Sequence, residues 1–175
     1  GNGAEGGSTV LTFNGTGNQT FADTGVIVPG TRWTRLGSVV VDKTSGTVTA
    51  TTTDVAVDKF TLNQGNFVAP TGNMFITGLT GAQSDFRVNG LGNATSNFNP
   101  NGGTLFFDGL FTNPGMTHAI DLDAGFTGTL QLNHLTFGGA DNNNGYTSTT
   151  TIATGDRLVV NGNFTQQRTG GNARI

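Results

Sequence analysis

Short apolar clusters recur along the chain, and nearly every one of them alternates with polar residues and ends at a turn residue. Residues 9–13 lead into an Asn-Gly pair at 14–15, and residues 86–88 lead into another Asn-Gly pair at 89–90. Alternation over a few residues, bounded by Gly, Asn, Asp or Pro, is typical of β-strands and turns. Since no stretch has apolar residues at the spacing of an amphipathic helix, the pattern predicts an all-β chain.

The composition supports strands and indicates a thin core. Gly occurs 29 times, Thr and Asn are abundant, and Glu5 is the single glutamate. In a helix, Gly costs about 1 kcal/mol and Thr several tenths relative to Ala, whereas Thr, Val and Phe suit a pleated surface. Only 34% of residues are hydrophobic, but the net charge is -3 and the 13 Phe residues fall within short alternating runs. We therefore expect an ordered chain rather than a disordered one.

Internal repetition distinguishes among the all-β folds that this pattern allows. Turn signals about every 8 to 12 residues fit a sandwich, a barrel or a β-solenoid. Residues 12–15 (TFNG) align with residues 106–109 (FFDG), which suggests two approximate units, 8–102 and 103–175. We predict one β-repeat domain over residues 1–175, a parallel β-solenoid (β-helix) of stacked short rungs within a longer array. An antiparallel jelly-roll-like β-sandwich is the alternative, because Asn-Gly turns also close hairpins.

Charge and cysteine content limit the possible partners. Cysteine is absent, Lys43 and Lys59 are the only lysines, and there is no basic run, which argues against nucleic acid or an anionic membrane as partner. No apolar run reaches the 18 residues that a transmembrane segment needs. The lack of cysteine suits a bacterial secreted protein without disulfides. Because the chain begins at Gly1 with neither a Met nor a signal peptide, we expect a processed form or a fragment.

Three segments resemble the tandem repeats of large bacterial surface and autotransporter-type adhesins. They are residues 9–21 (TVLTFNGTGNQTF), residues 37–78, which begin GSVVVDKTSGTVT, and residues 150–170 (TTIATGDRLVVNGNFTQQRTG). The resemblance covers about two-thirds of the chain and implies a right-handed parallel β-solenoid. It also implies a secreted, bacterial protein located at the cell surface or in a biofilm matrix.

A weak candidate for a metal site is the pair Asp121 and Asp123. In a strand, alternate side chains share a face, so with Ile120 and Leu122 inward the two carboxylates would lie outside, about 7 Å apart. Two residues are a partial shell for Ca²⁺, which takes six to eight oxygen ligands, and Asp141 is a third candidate. A solvated pair is the simpler interpretation. We expect no cofactor, with Ca²⁺ as the only one considered.

A candidate carbohydrate-binding surface surrounds the only tryptophan. Trp33 lies between Arg32 and Arg35, and an aromatic ring flanked by cations can stack against a sugar. The competing interpretation is a buried Trp beside solvated charges. A polysaccharide lyase would need Arg87 or Lys59 as a base near the Asp pair, and these residues are scattered in the sequence.

The sequence offers no stronger catalytic or metal motif. His118 and His134 are sixteen residues apart, without cysteine, so a zinc site is not expected, and each His is predicted to lie on an outer face or in a turn. We expect no enzymatic activity and assign no catalytic residue. Alternate threonines at positions 47–53 suggest an ice-binding face, although the Thr positions change from rung to rung.

The leading hypothesis is therefore an extracellular structural or adhesive surface protein. Its partner would be a second copy of itself, or a polysaccharide of the cell surface or matrix. Exposed strand edges at the two ends would allow assembly into a filament by β-augmentation. A carbohydrate-binding or polysaccharide-cleaving β-helix is the second hypothesis, and an ice-binding surface is the third.

Overall fold

The fold is built from strands and turns. The structure is a computed structural model that describes residues 9–24, 36–78, 85–91, 94–107, 117–123, 128–138 and 149–167. These residues contain no helix, which confirms the all-β prediction, and accordingly none of them belongs to a helix able to cross a membrane. The strands are β1 (Val10–Phe13), β2 (Gln19–Phe21), β3 (Leu36–Ala50), β4 (Val55–Val68), β5 (Asn73–Ile76), β6 (Phe86–Val88), β7 (Ser96–Asn99), β8 (Thr104–Phe107), β9 (Thr117–Leu122), β10 (Thr129–Leu132), β11 (His134–Phe137), β12 (Thr149–Ile152), β13 (Arg157–Val160) and β14 (Phe164–Gln166).

Parallel pairing joins these strands into three ladders of a curled sheet. Ladder A runs through β1, β3, β4, β6, β9 and β12. Ladder B runs through β2, β3, β4 and β7, and ladder C through β4, β5, β8, β11 and β14. Strands β10 and β13 form a separate parallel pair. Within the described part of the chain no antiparallel ladder occurs, so the jelly-roll alternative finds no support there.

The chain visits the ladders in the order C, then A, then B as far as β7. After β9 and again after β12, the separate strands β10 and β13 follow ladder A in place of a ladder B strand. Strand β4 is long enough to pass through all three, pairing with β5, then β6, then β7. Paired residues are between 19 positions apart, as Val55 and Met74 are, and 34 positions apart, as Phe86 and Ile120 are. The ladders therefore repeat over a much shorter length than the approximate units 8–102 and 103–175, which stay a prediction.

One corner lies inside a continuous strand. Residues 42–46 bend within β3, where the register shifts after Val41 and again before Thr47. At this corner the buried Lys43 ammonium donates hydrogen bonds to the carbonyl oxygens of Gly15 and Gly17 and to Gln19 Oε1. The lysine thus donates hydrogen bonds to carbonyl groups of the turn between β1 and β2, which lie outside the ladders.

The core consists of inward residues stacked along each ladder. In ladder A, Val39, Phe60, Phe86 and Ile120 lie in register and are fully buried. Aromatic contacts connect the ladders: the ring centroids of Phe60 and Phe67 are 4.6 Å apart. Each residue in the column is covered by its neighbours in the strands on both sides, so a thin core still excludes water.

Gly65 allows a close approach between two neighbouring corners. Its φ is +96°, and a Cβ at this position would lie 2.7 Å from the carbonyl oxygen of Lys43. Gly102 has a similar φ of +78°, but a Cβ there would meet nothing within 4 Å. A side chain at Gly102 would therefore add backbone strain alone, whereas a side chain at Gly65 would add steric overlap as well.

We expect Gly65→Ala to destabilise the protein more than Gly102→Ala. Gly102→Ala should cost about 1 kcal/mol, because the left-handed conformation is unfavourable for a residue with a Cβ. Gly65→Ala should cost about 1 to 3 kcal/mol more, because the backbone must move. Urea unfolding of both variants measures the difference, and equal losses would show that the corners do not pack as described.

Candidate functional site

At both ends of the ladders, residues at inward positions are exposed, whereas residues at the equivalent positions of the internal strands form the core. Leu11 and Ile152 extend the inward column of ladder A by one residue at each end, in register with Val39 and Ile120. They are 40% and 42% exposed, whereas Val39 and Ile120 are each 1% exposed. In ladder C, Phe164 continues the column from Leu135 and is 51% exposed. The columns therefore end in apolar surface within the described residues.

The outer edges of the terminal strands lack the residues that usually prevent pairing with a strand of another molecule. In the part of the chain that the structure describes, β1 pairs with β3 alone, β12 with β9 alone and β14 with β11 alone. None of these three terminal strands contains a charged residue or a proline. Soluble β-proteins usually place such residues on free edges to prevent association. These two end surfaces are the strongest candidate for a functional site.

The two aspartates of the predicted metal site have separate partners on a neighbouring strand and the turn after it. An Asp121 carboxylate oxygen lies 2.8 Å from the Arg87 guanidinium. Asp123 has a φ of 64° and follows the end of β9, where Oδ1 accepts hydrogen bonds from the N–H groups of Gly90 and Leu91. Ile120 and Leu122 are inward, as predicted, but Asp123 acts as a backbone cap. No group of three metal-binding side chains occurs among the described residues.

The remaining predicted site residues are not placed by the structure. Trp33, Arg32 and Arg35 lie outside the described residues, and so does Asp141. The carbohydrate surface and the third Ca²⁺ ligand accordingly stay predictions. Of the two bases considered for a lyase, Arg87 is paired with Asp121, and Lys59 lies on β4.

The threonines considered for an ice-binding face form no extended row. Strand β3 ends at Ala50, so Thr47 and Thr49 lie on a strand, but the threonines at positions 51–53 follow it. Across ladder B, Thr49 pairs with Thr20 on one side and Val68 on the other. The outer residues change from one strand to the next.

His118 and Asp85 form a buried polar pair that the sequence reasoning missed. His118 Nδ1 lies 3.2 Å from Asp85 Oδ2, and the side chains are 1% and 3% exposed. The imidazole also packs at the edge of the Phe107 ring, 5.7 Å between centroids. Strand alternation could have revealed His118, because it has the same parity as the inward residues Ile120 and Leu122. The prediction that His118 lies on an outer face or in a turn is wrong.

His134 is half-buried and accepts a hydrogen bond at Nδ1 from the N–H of Asn163. This hydrogen bond holds the backbone just before β14. His134 lies on β11 in ladder C, whereas His118 lies on β9 in ladder A.

A second small apolar cluster lies on the other side of ladder C. Phe75 and Phe106 are in register, with ring centroids 4.9 Å apart, and have the opposite parity to the core residues Met74 and Leu105. Both phenylalanines are nevertheless buried, together with Ala56. The signal in the sequence is the loss of alternation at residues 74–76 and 105–107, since continuous apolar runs mark strands buried on both faces.

Comparison with protein-family models, with characterised proteins and with solved structures finds no match to this chain.

The capping role of Asp123 can be separated from a metal-binding role. Asp123→Asn keeps an oxygen acceptor and tolerates the positive φ, so we expect little change in stability. Asp123→Ala removes the acceptor and adds strain, and it should cost about 1 to 3 kcal/mol. Thermal unfolding with Ca²⁺ and with a chelator provides the measurement. A Ca²⁺-dependent stabilisation that Asp123→Asn abolishes would instead identify a metal ligand.

The His118 and Asp85 pair should show strong energetic coupling. His118→Leu leaves a buried carboxylate without its imidazole partner, and we expect a loss of about 3 to 5 kcal/mol in the free energy of unfolding. Adding Asp85→Asn removes the buried charge and should restore part of that loss. His134→Leu is the control and should cost about 1 kcal/mol. Additive effects in a double-mutant cycle would contradict a direct interaction.

Proposed function

We propose that this chain is a segment of a closed, right-handed parallel β-solenoid that acts as a structural or adhesive element outside the bacterial cell. In this proposal the protein belongs to the cell surface or the biofilm matrix, and copies associate end to end into a filament. The observation that carries the proposal is the exposure of core residues at both ends of the ladders, namely Leu11, Ile152 and Phe164.

The free energy of the end surfaces favours their burial. Fully burying a side chain such as Leu, Ile or Phe contributes about 1.5 to 3 kcal/mol, and these residues have roughly half of that still to gain. Pairing of the free edges would add backbone hydrogen bonds at each junction. Three terminal strands without charge or proline offer no barrier to such pairing.

The chemistry of the chain is consistent with a passive, extracellular role. The absence of cysteine means that the fold does not depend on the redox state of its surroundings. Among the described residues, Asp121 and Asp123 have structural partners, so the acidic groups on ladder A are already used for stability. Recognition of a surface polysaccharide by Trp33, Arg32 and Arg35 would fit an adhesive role alongside assembly.

Assembly predicts a defined filament repeat. Ladder A contains six strands among the described residues, and strands in a ladder are about 4.8 Å apart, so copies stacked through these strands should advance the filament by about 29 Å each. Electron microscopy of the purified 175-residue chain would measure this repeat. Isolated particles at every concentration, with monomer mass by light scattering, would contradict end-to-end assembly.

A charge at the end of ladder C should block association. Phe164→Asp places a carboxylate in the proposed junction and should weaken association at least tenfold, because burying an unpaired charge costs more than the roughly 1.4 kcal/mol of that factor. Thr165→Asp introduces the same charge on the same strand, on the opposite side of the sheet, and should have a smaller effect. Light scattering after size-exclusion chromatography measures both variants, and circular dichroism verifies that they fold.

A further inference from the structure

The strands at the two ends of ladder A run in the same direction, and the same column of inward residues reaches both of them. Strand β1 lies at one end and β12 at the other, and every pairing between them is parallel. Leu11 and Ile152 are the first and last described members of one inward column, in register through Val39, Phe60, Phe86 and Ile120. A strand added beside β12 in the same register would therefore place its own equivalent of Leu11 next to Ile152.

The order of the ladders also continues from one end to the other. The last described strand, β14, lies on ladder C, and the first two, β1 and β2, lie on ladders A and B. Since ladder A follows ladder C along the chain, a copy placed with its β1 after β14 continues the order of the described strands. This match in phase is the observation that favours a second copy of this chain as the occupant of the end surface.

Charge on the described strands does not oppose this junction. The strands that would meet include β1 and β2 of one copy and β12 and β13 of the other, and Arg157 is the single charged residue of these four strands. Apolar contacts extend to β13, where Leu158 and Val160 pack against the core but are only partly buried. Association of like ends would instead place β1 beside β1 and interrupt the order of the ladders.

We propose, on the basis of the function proposed above, that copies dock head to tail, with β1 of one copy parallel to β12 of the next and Leu11 beside Ile152. Since β2 follows β1 as β13 follows β12, the β2 strand of the incoming copy then lies over β13, the outer strand of the separate β10 and β13 pair. Each junction repeats the internal packing of ladder A, so it is heterologous and open, and it generates a filament rather than a closed dimer.

Engineered cysteines test this register, since the chain has none of its own. Facing residues on neighbouring strands have Cα atoms about 4.8 Å apart, which is within the range that a disulfide spans. Leu11→Cys and Ile152→Cys are prepared separately, one of them with a tag that changes its mass, and are mixed and oxidised gently. Non-reducing electrophoresis then distinguishes the mixed dimer from both like dimers. We expect the mixed dimer to predominate. The double variant should form a series of covalent oligomers of increasing size.

Val10→Cys is the matched control because Val10 neighbours Leu11 on β1 and has the opposite parity. Mixed with Ile152→Cys, it should give at least several-fold less mixed dimer than Leu11→Cys does. Filaments with only like dimers, or with equal yields from Leu11→Cys and Val10→Cys, would overturn the register but leave end-to-end assembly standing.

A different outcome would overturn both proposals. If the chain stays monomeric and both thiols react slowly with maleimide, another part of the same chain covers the end surfaces. Rapid labelling of a monomer would show that the ends are open but do not associate. Circular dichroism of each variant excludes unfolding as the cause, and the partial exposure of Leu11 and Ile152 makes these substitutions mild.

Discussion

The stacking of inward side chains along parallel backbone ladders is the interaction on which the rest of this structure depends. Phe60 is buried because Val39 covers it on one side and Phe86 on the other, and the same holds for each internal member of the column. Backbone hydrogen bonds fix the spacing between strands at about 4.8 Å, which brings each apolar side chain into contact with the next. A low hydrophobic fraction is sufficient, because no residue has to reach a distant centre.

The corners face a different problem, because a bend removes backbone groups from the ladder and leaves them without their regular partners. The structure resolves this with particular side chains. The Lys43 ammonium donates to two carbonyl oxygens of the preceding corner, and Asp123 accepts from two N–H groups of the turn after β6. Gly15 and Gly17 are exposed, so it is the buried Lys43 ammonium that needs these partners, and leaving it unpaired would cost at least about 1 to 3 kcal/mol. Charged residues at the corners are therefore part of the fold, which explains why Asp123 resembles a metal ligand in the sequence.

Strand alternation predicted the class of fold and many inward residues, because side chains on a strand point in turn to opposite faces whatever the strand pairs with. Ile120 and Leu122 were placed correctly for this reason, and applying the same parity to His118 and Lys43 would have placed them inside. Pairing could not be predicted in the same way. Partners such as Phe86 and Ile120 are separated by chain of variable length, and no local pattern encodes that distance. The orientation of Asp123 could not be predicted, because alternation ends with β9, one residue before it.

Ordered assembly requires that the ends specify one register, since free apolar edges can also aggregate without order. The alternation of side chains on β1 is the first restriction on the register. A shift of one residue would turn Leu11 away from Ile152 and place Val10 in the inward column instead. The corners supply the second, because β1 and β2 must meet β12 and β13 at the same time, across bends of fixed geometry. A register that satisfies one ladder but not the other leaves half of the junction unpaired. The features that make each coil fit its neighbour within the chain therefore also favour a single arrangement between copies.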